Sequence, residues 1–109
     1  MVSEKLTKTL PAIFFTQESG NEPVRDWLLS LSEEDRRIVG HDIRDLEFSW
    51  PIGLPLCKSL GHGLWEVRSA LTNRKIGRVI FCNHDGTALL LHSFIKKTQK
   101  IPKQDLDLP

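Results

Sequence analysis

A mixed α+β architecture is expected from this sequence: two N-terminal helices packed on a curved, mainly antiparallel sheet. The expected order is β-α-α-β-β-β, with a short or absent C-terminal helix. The first half carries apolar residues at helical spacing. Beyond a break at Trp50-Pro51-Ile52-Gly53-Leu54-Pro55 the spacing changes to alternation. The connections of the second half are short and include Asn, Asp and Gly, which joins strands as antiparallel neighbours. The 109 residues hold no internal repeat, low-complexity tract or Gly/Ser linker, so a single domain over 1–109 is expected.

The first strand is read in Leu10-Pro11-Ala12-Ile13-Phe14-Phe15-Thr16, a short apolar run with β-branched and aromatic residues. Pro11 suits its start, where no ladder donor is needed. Asn21-Glu22-Pro23 opens a helix. Asn21 is the expected N-cap, and the N–H that Pro23 lacks would be unpaired in the first turn anyway. Val24, Trp27, Leu28 and Leu31 form its apolar stripe. Ser32 caps a second helix, whose first turn holds Glu33, Glu34 and Asp35 at the positive end of the helix dipole. Val39, Ile43 and Leu46 supply its buried side, with Arg36, Arg37, Arg44 and Asp45 opposite. Three strands follow: Leu64 to Leu71, Ile76 to Cys82 and Thr87 to Ile95. They are joined by Thr72-Asn73-Arg74-Lys75 and by Asn83-His84-Asp85-Gly86.

The net charge of +1 comes from 15 Lys+Arg against 14 Asp+Glu, and it hides a segregation. Residues 1–56 carry 6 basic and 10 acidic side chains, whereas residues 57–103 carry 9 basic and 2 acidic ones. The last six residues add Asp105 and Asp107. A basic stretch of this density is the footprint of a polyanion-binding surface, or of a solvated sheet edge. No apolar run approaches the ~20 residues of a membrane helix, so no membrane association is expected. The N-terminus has no signal-peptide core, so a cytoplasmic location is expected. Cys57 and Cys82 form no CxxC and frame neither a disulfide scaffold nor a Cys-rich zinc site; they are read as reduced thiols. His41, His62, His84 and His92 lack ligand spacing, so no metal and no cofactor are expected.

Strand alternation sorts the second half into two faces. Leu64, Glu66, Arg68 and Ala70 share one side of their strand; Trp65, Val67, Ser69 and Leu71 share the other, core-like side. Arg78, Ile80 and Cys82 alternate with Val79 and Phe81. On the last strand Leu90, His92, Phe94 and Lys96 are placed together, opposite Leu89, Leu91, Ser93 and Ile95. One face thereby collects Glu66, Arg68, Arg78, His92, Phe94 and Lys96. That set matches the needs of RNA cleavage at a phosphodiester. Arginine forks fit phosphate oxygens, histidine exchanges protons near neutral pH, and an aromatic ring stacks on an unpaired base. Each also has a plainer reading. Glu66 and Arg68 make an ordinary surface ion pair, His92 and Phe94 belong to the core, and Lys96, Lys97, Lys100 and Lys103 solubilise an edge.

Three segments together resemble a known family. They are Lys58-Ser59-Leu60-Gly61-His62-Gly63-Leu64-Trp65-Glu66-Val67-Arg68, then Ile76-Gly77-Arg78-Val79-Ile80-Phe81, then Leu89-Leu90-Leu91-His92-Ser93-Phe94-Ile95-Lys96-Lys97-Thr98-Gln99-Lys100-Ile101-Pro102. They are similar to the "K-x-L…GLWELR", "R-x-x-F/Y" and "LLHGFxKKTxKxP" signatures of RelE/ParE superfamily toxins, and most of all to the HigB-like branch with its phage-derived host toxicity proteins. The likeness spans residues 10–105.

The resemblance implies a RelE-like fold and the toxin of a type II toxin–antitoxin pair: a metal-independent endoribonuclease that cuts mRNA on the ribosome and inhibits translation. It implies a cognate antitoxin, often a helix-turn-helix protein, and operator DNA reached through the complex with it. Carried onto this chain, the functional positions are Arg68, Arg78, His92 and Lys96, with Lys58, Phe94, Lys97 and Lys100 as substrate contacts. Arg68 and Arg78 are expected at the phosphate, and His92 or Lys96 at the proton transfers. Two departures stand out. The chain has no Tyr, where several relatives use a C-terminal tyrosine near the chemistry. Its tail, Asp105-Leu106-Asp107-Leu108-Pro109, is acidic where relatives often continue a basic helix. Two other functions stay open at this level: a ParE-like toxin that binds DNA gyrase, and a catalytically degenerate protein that binds antitoxin and regulates its operon.

Overall fold

The computed structural model describes residues 7–97. Strand β1 (Ala12–Phe14) is followed by helices α1 (Pro23–Ser30) and α2 (Glu33–Ser49). Four strands then complete the chain: β2 (Cys57–Gly61), β3 (Leu64–Ala70), β4 (Lys75–His84) and β5 (Thr87–Lys97). All five strands form one sheet in the order β1-β5-β4-β3-β2. β1 runs parallel to β5, and the other pairs are antiparallel. The α+β expectation holds, with one strand more than expected. The extra strand is β2, whose five residues follow the Pro-rich break directly. The expected C-terminal helix falls outside the described residues. No helix among them is long and apolar enough to cross a membrane.

Local chemistry explains the joints. Ser32 caps α2 by accepting from the Asp35 amide at 3.1 Å. Asn21, by contrast, is not the cap of α1. Glu22 holds that position without a side-chain hydrogen bond to the helix amides, and Pro23 begins the helix. The β2–β3 and β4–β5 turns are two residues each. His62-Gly63 and Asp85-Gly86 all have positive φ, the left-handed pairing that matches the twist of a hairpin. The four-residue turn expected over Asn83–Gly86 is therefore shorter, because Asn83 and His84 stay in register with Ala88 and Thr87.

The helices cover one face of the sheet. Val24, Val39, Ile43 and Leu46 meet Cys57, Val67, Leu71, Val79, Phe81, Ala88 and Leu90 in a buried cluster. Trp27, Trp50 and Trp65 pack against it, and Trp50 lies edge-on to both Trp65 and Phe81. At Gly77 the sheet approaches the helical layer so closely that a Cβ would meet Leu71 at 3.1 Å and Trp27 at 3.3 Å.

Three polar side chains fasten the elements to one another. Asp35, buried, accepts from the Thr72 amide and hydroxyl and from Lys75 Nζ, joining α2 to the β3–β4 turn. Glu47 accepts from the Ala12 amide at 2.7 Å, which pairs a donor of edge strand β1. Arg36, read from the sequence as part of a solvated face, is half-buried and donates to the Leu28 and Leu31 carbonyls at the end of α1.

Candidate functional site

The sheet face turned away from the helices is ordered by the register into rows. Lys58, Glu66, Ile80 and His92 stand side by side on β2, β3, β4 and β5. The next row holds Arg68, Arg78 and Phe94, and the one after it Ala70, Ile76 and Lys96. The six charged and aromatic positions expected to share a face do share it, and β2 adds Lys58. Successive rows lie roughly 7 Å apart along a strand. His92 and Lys96 therefore bracket the arginine row from its two sides.

The last strand reaches this arrangement differently from simple alternation. The β4–β5 register shifts between Ile80 and Phe81, so Leu91 is an extra residue on β5. Leu90 consequently lies in the core opposite Phe81, while His92, opposite Ile80, faces the open side. Placing Leu90 with His92, Phe94 and Lys96 is thus corrected. So is placing Leu89 with Ser93 and Ile95. Leu89 pairs with Cys82 on the open face, whereas Ser93 and Ile95 pair with Val79 and Gly77 on the helical side.

The electrostatics centre on Glu66. Its side chain is 5 % exposed; those of its neighbours Arg78 and Arg68 are 16 % and 30 % exposed. Arg78 Nη1 donates to Glu66 Oε1 at 3.0 Å. Arg68 Nε lies 3.9 Å from the same oxygen, an ion-pair distance too long for a hydrogen bond. The Nε atoms of both arginines are buried and without a hydrogen-bond partner. Two cations thus share one carboxylate, with two donors left over. The plain ion pair read from the sequence, Glu66 with Arg68, is the weaker of the two contacts; the cross-strand pair with Arg78 is the stronger.

His92 and Phe94 are exposed, with ring centroids 5.9 Å apart and planes 32° from parallel. Neither is a core residue, so the plainer reading of both is corrected. Lys58 and Lys96 are exposed. Lys97 ends β5 in register with Lys75, and Lys100 lies outside the described residues. Beside Arg68 opens a cleft of about 440 Å³, walled by Asp42, Pro55, Leu56, Ser69, Ala70 and Ile76. Burial, assisted by the Asp42 carboxylate, pushes the Cys57 thiol up to about 11, so it is no thiolate nucleophile near neutral pH. His41, Asp42 and Asp45 bring ligand atoms within 4.8 Å of one another on α2, outside this grouping.

Sequence reasoning missed β2 as a strand and Glu66 as the shared anion of the arginines. The alternation Cys57-Lys58-Ser59 ahead of Gly61-His62-Gly63 is the signal for the first. For the second, the signal is an acid two residues before Arg68 on the same strand face.

The family described as Phage derived protein Gp49-like (DUF891) matches residues 26–108. No curated protein and no solved structure matches the chain. The match runs from the first turn of α1 through the whole open face and takes in all three signature segments. This chain belongs to the phage-derived Gp49-like family, a family of RelE/HigB-like toxins.

Proposed function

We propose that this protein is the toxin of a type II toxin–antitoxin pair and acts as a metal-independent mRNA endoribonuclease on the ribosome. The observation that carries the reading is the Arg68–Arg78 cross-strand pair, bracketed on β5 by His92 and Lys96. In the cleavage, the 2′-oxygen attacks phosphorus as its proton leaves to a base. The bond to the 5′-oxygen breaks, and an acid protonates that oxygen. Attack and departure are in line, so base and acid belong on opposite sides of the phosphate. A phosphate seated on the arginine row has His92 on one side and Lys96 on the other. The two guanidinium groups stabilise the charge of the pentavalent transition state. Phe94 offers a ring for an unpaired base, and Lys58 contacts a neighbouring phosphate. Lys97 is assigned a phosphate contact from the family resemblance alone. Lys100 is assigned the same role from the family resemblance.

The expected partner is a helix-turn-helix antitoxin that masks this face and carries the complex to operator DNA. A short helix-turn-helix reading frame beside this gene would support the pairing. The deciding test is inducible expression in a bacterium with mapping of transcript 5′ ends. Growth arrest with codon-phased cuts is the expected result. Arrest with DNA breaks and intact mRNA would instead mark a gyrase toxin. Soluble protein without toxicity would mark a degenerate, regulatory copy.

A further inference from the structure

We propose that Glu66 is a positioning residue: it holds Arg78 beside Arg68 so that one oxyanion bridges both guanidinium groups, and it limits the charge of that cradle. The proposal rests on the nuclease reading for its turnover arm alone. Arg68 and Arg78 are direct cross-strand neighbours, and like charges at that position repel. Both side chains are largely shielded from water, so solvent alone does not screen them. Glu66 Oε1 meets Arg78 Nη1 at 3.0 Å and lies 3.9 Å from Arg68 Nε, so one oxygen serves both cations. The carboxylate is itself nearly fully buried and carries a single negative charge. The pair thus keeps an excess positive charge and two buried, unpartnered Nε–H donors. Buried donors of this kind are normally satisfied, and a phosphate oxygen is the matching acceptor.

Two opposite effects follow from removing the charge while keeping the shape. Without the carboxylate, the cradle attracts an anion more strongly, by at least tenfold at the effective dielectric of a half-buried site. Arg78 also loses its charge-assisted anchor. Misplacement of a positioning group by ~1 Å costs as much as 10²-fold in rate. Glu66→Gln should therefore bind inorganic phosphate at least tenfold more tightly than the wild type, followed by the arginine Nε–H signals in NMR. In ribosome-programmed cleavage its kcat should fall at least tenfold while KM stays level or drops. A merely structural role would not tighten phosphate binding. Unchanged or weaker phosphate binding, or wild-type kcat, would overturn the proposal. A measurement without a variant guards against misfolding: in the wild type the Arg78 Nε–H should be as rigid as the backbone, and the exposed Arg25 should not. Equal mobility of the two would also overturn it. If the wild type cuts no RNA, the nuclease reading fails, and the phosphate titration still judges Glu66.

Discussion

The two arginines of the open face are not equivalent, and the difference can be measured. Arg78 provides the 3.0 Å hydrogen bond to buried Glu66, whereas Arg68 makes none through Nε. Arg78→Ala removes the stronger partner of a buried charge and should destabilise the fold by on the order of 3 kcal/mol, besides abolishing cleavage. Arg68→Gln is the cleaner probe. Its chemical denaturation midpoint should stay near that of the wild type, while cleavage falls about 10²- to 10³-fold. Wild-type cleavage by Arg68→Gln would take Arg68 out of the site. Asp35 gives a second prediction at this scale. The hydrogen bond from the Thr72 amide holds its carboxyl below the ordinary 3.8. The Thr72 hydroxyl and the Lys75 ammonium help, against the opposing effect of burial. A carboxyl lowered on folding contributes stability that is in place above its unfolded value and is lost as pH falls through the folded one. Asp35→Asn should therefore melt several degrees below the wild type at neutral pH, and the gap should narrow as pH drops below 3.8. A gap constant into the acid range would show that the charge of Asp35 does not matter. In the sequence Asp35 is one of three acids in a first helical turn, and nothing there separates it from Glu33 and Glu34, which stay exposed. Its partner lies 37 residues away, and only tertiary packing singles it out.

Among the elements, the helices and the three long strands were legible because their signals are periodic and local. Val39, Ile43 and Leu46 are all buried, as the helical spacing of α2 requires. The parity of β5 was not legible. A bulge inserts one residue into an alternating run, and Leu89-Leu90-Leu91 offers three chemically equal places for it. The core selects Leu90 because Phe81 stands opposite. β2 was hidden for another reason. It is a short edge strand, exposed from Lys58 to Gly61, so its side chains carry little apolar alternation. The contact between β4 and α1 was equally silent, since a glycine inside a strand does not announce what approaches it. At Gly77 the neighbours are the tip of Leu71 and the rigid ring edge of Trp27. Gly77→Val should therefore cost about 1–3 kcal/mol by overpacking, seen as a lower urea midpoint. An unchanged midpoint would mean that α1 can move off the sheet without loss.

At the scale of the whole molecule, the fold turns a segregation along the chain into one between layers. Most acids of residues 1–56 ride on α1 and α2, while Lys58, Arg68, Arg78 and Lys96 line the far face of the sheet; Lys75 instead turns to Asp35 of α2. The near-zero net charge therefore understates the field on the open face. Binding of single-stranded RNA there should release counterions, so affinity must fall as salt rises. Lys58, Arg68, Arg78 and Lys96 on phosphates should contribute about −3 to the slope of log K against log salt. Fluorescence anisotropy of a labelled RNA between roughly 50 and 200 mM salt reads it directly. Lys96→Gln should make the slope less negative by about 0.7. Arg37→Gln should leave it unchanged, because Arg37 sits on the exposed side of α2, paired with Glu33 at 3.1 Å. The two substitutions remove the same charge from the same total. Equal effects would mean that only net charge matters; unequal ones place the RNA on the sheet.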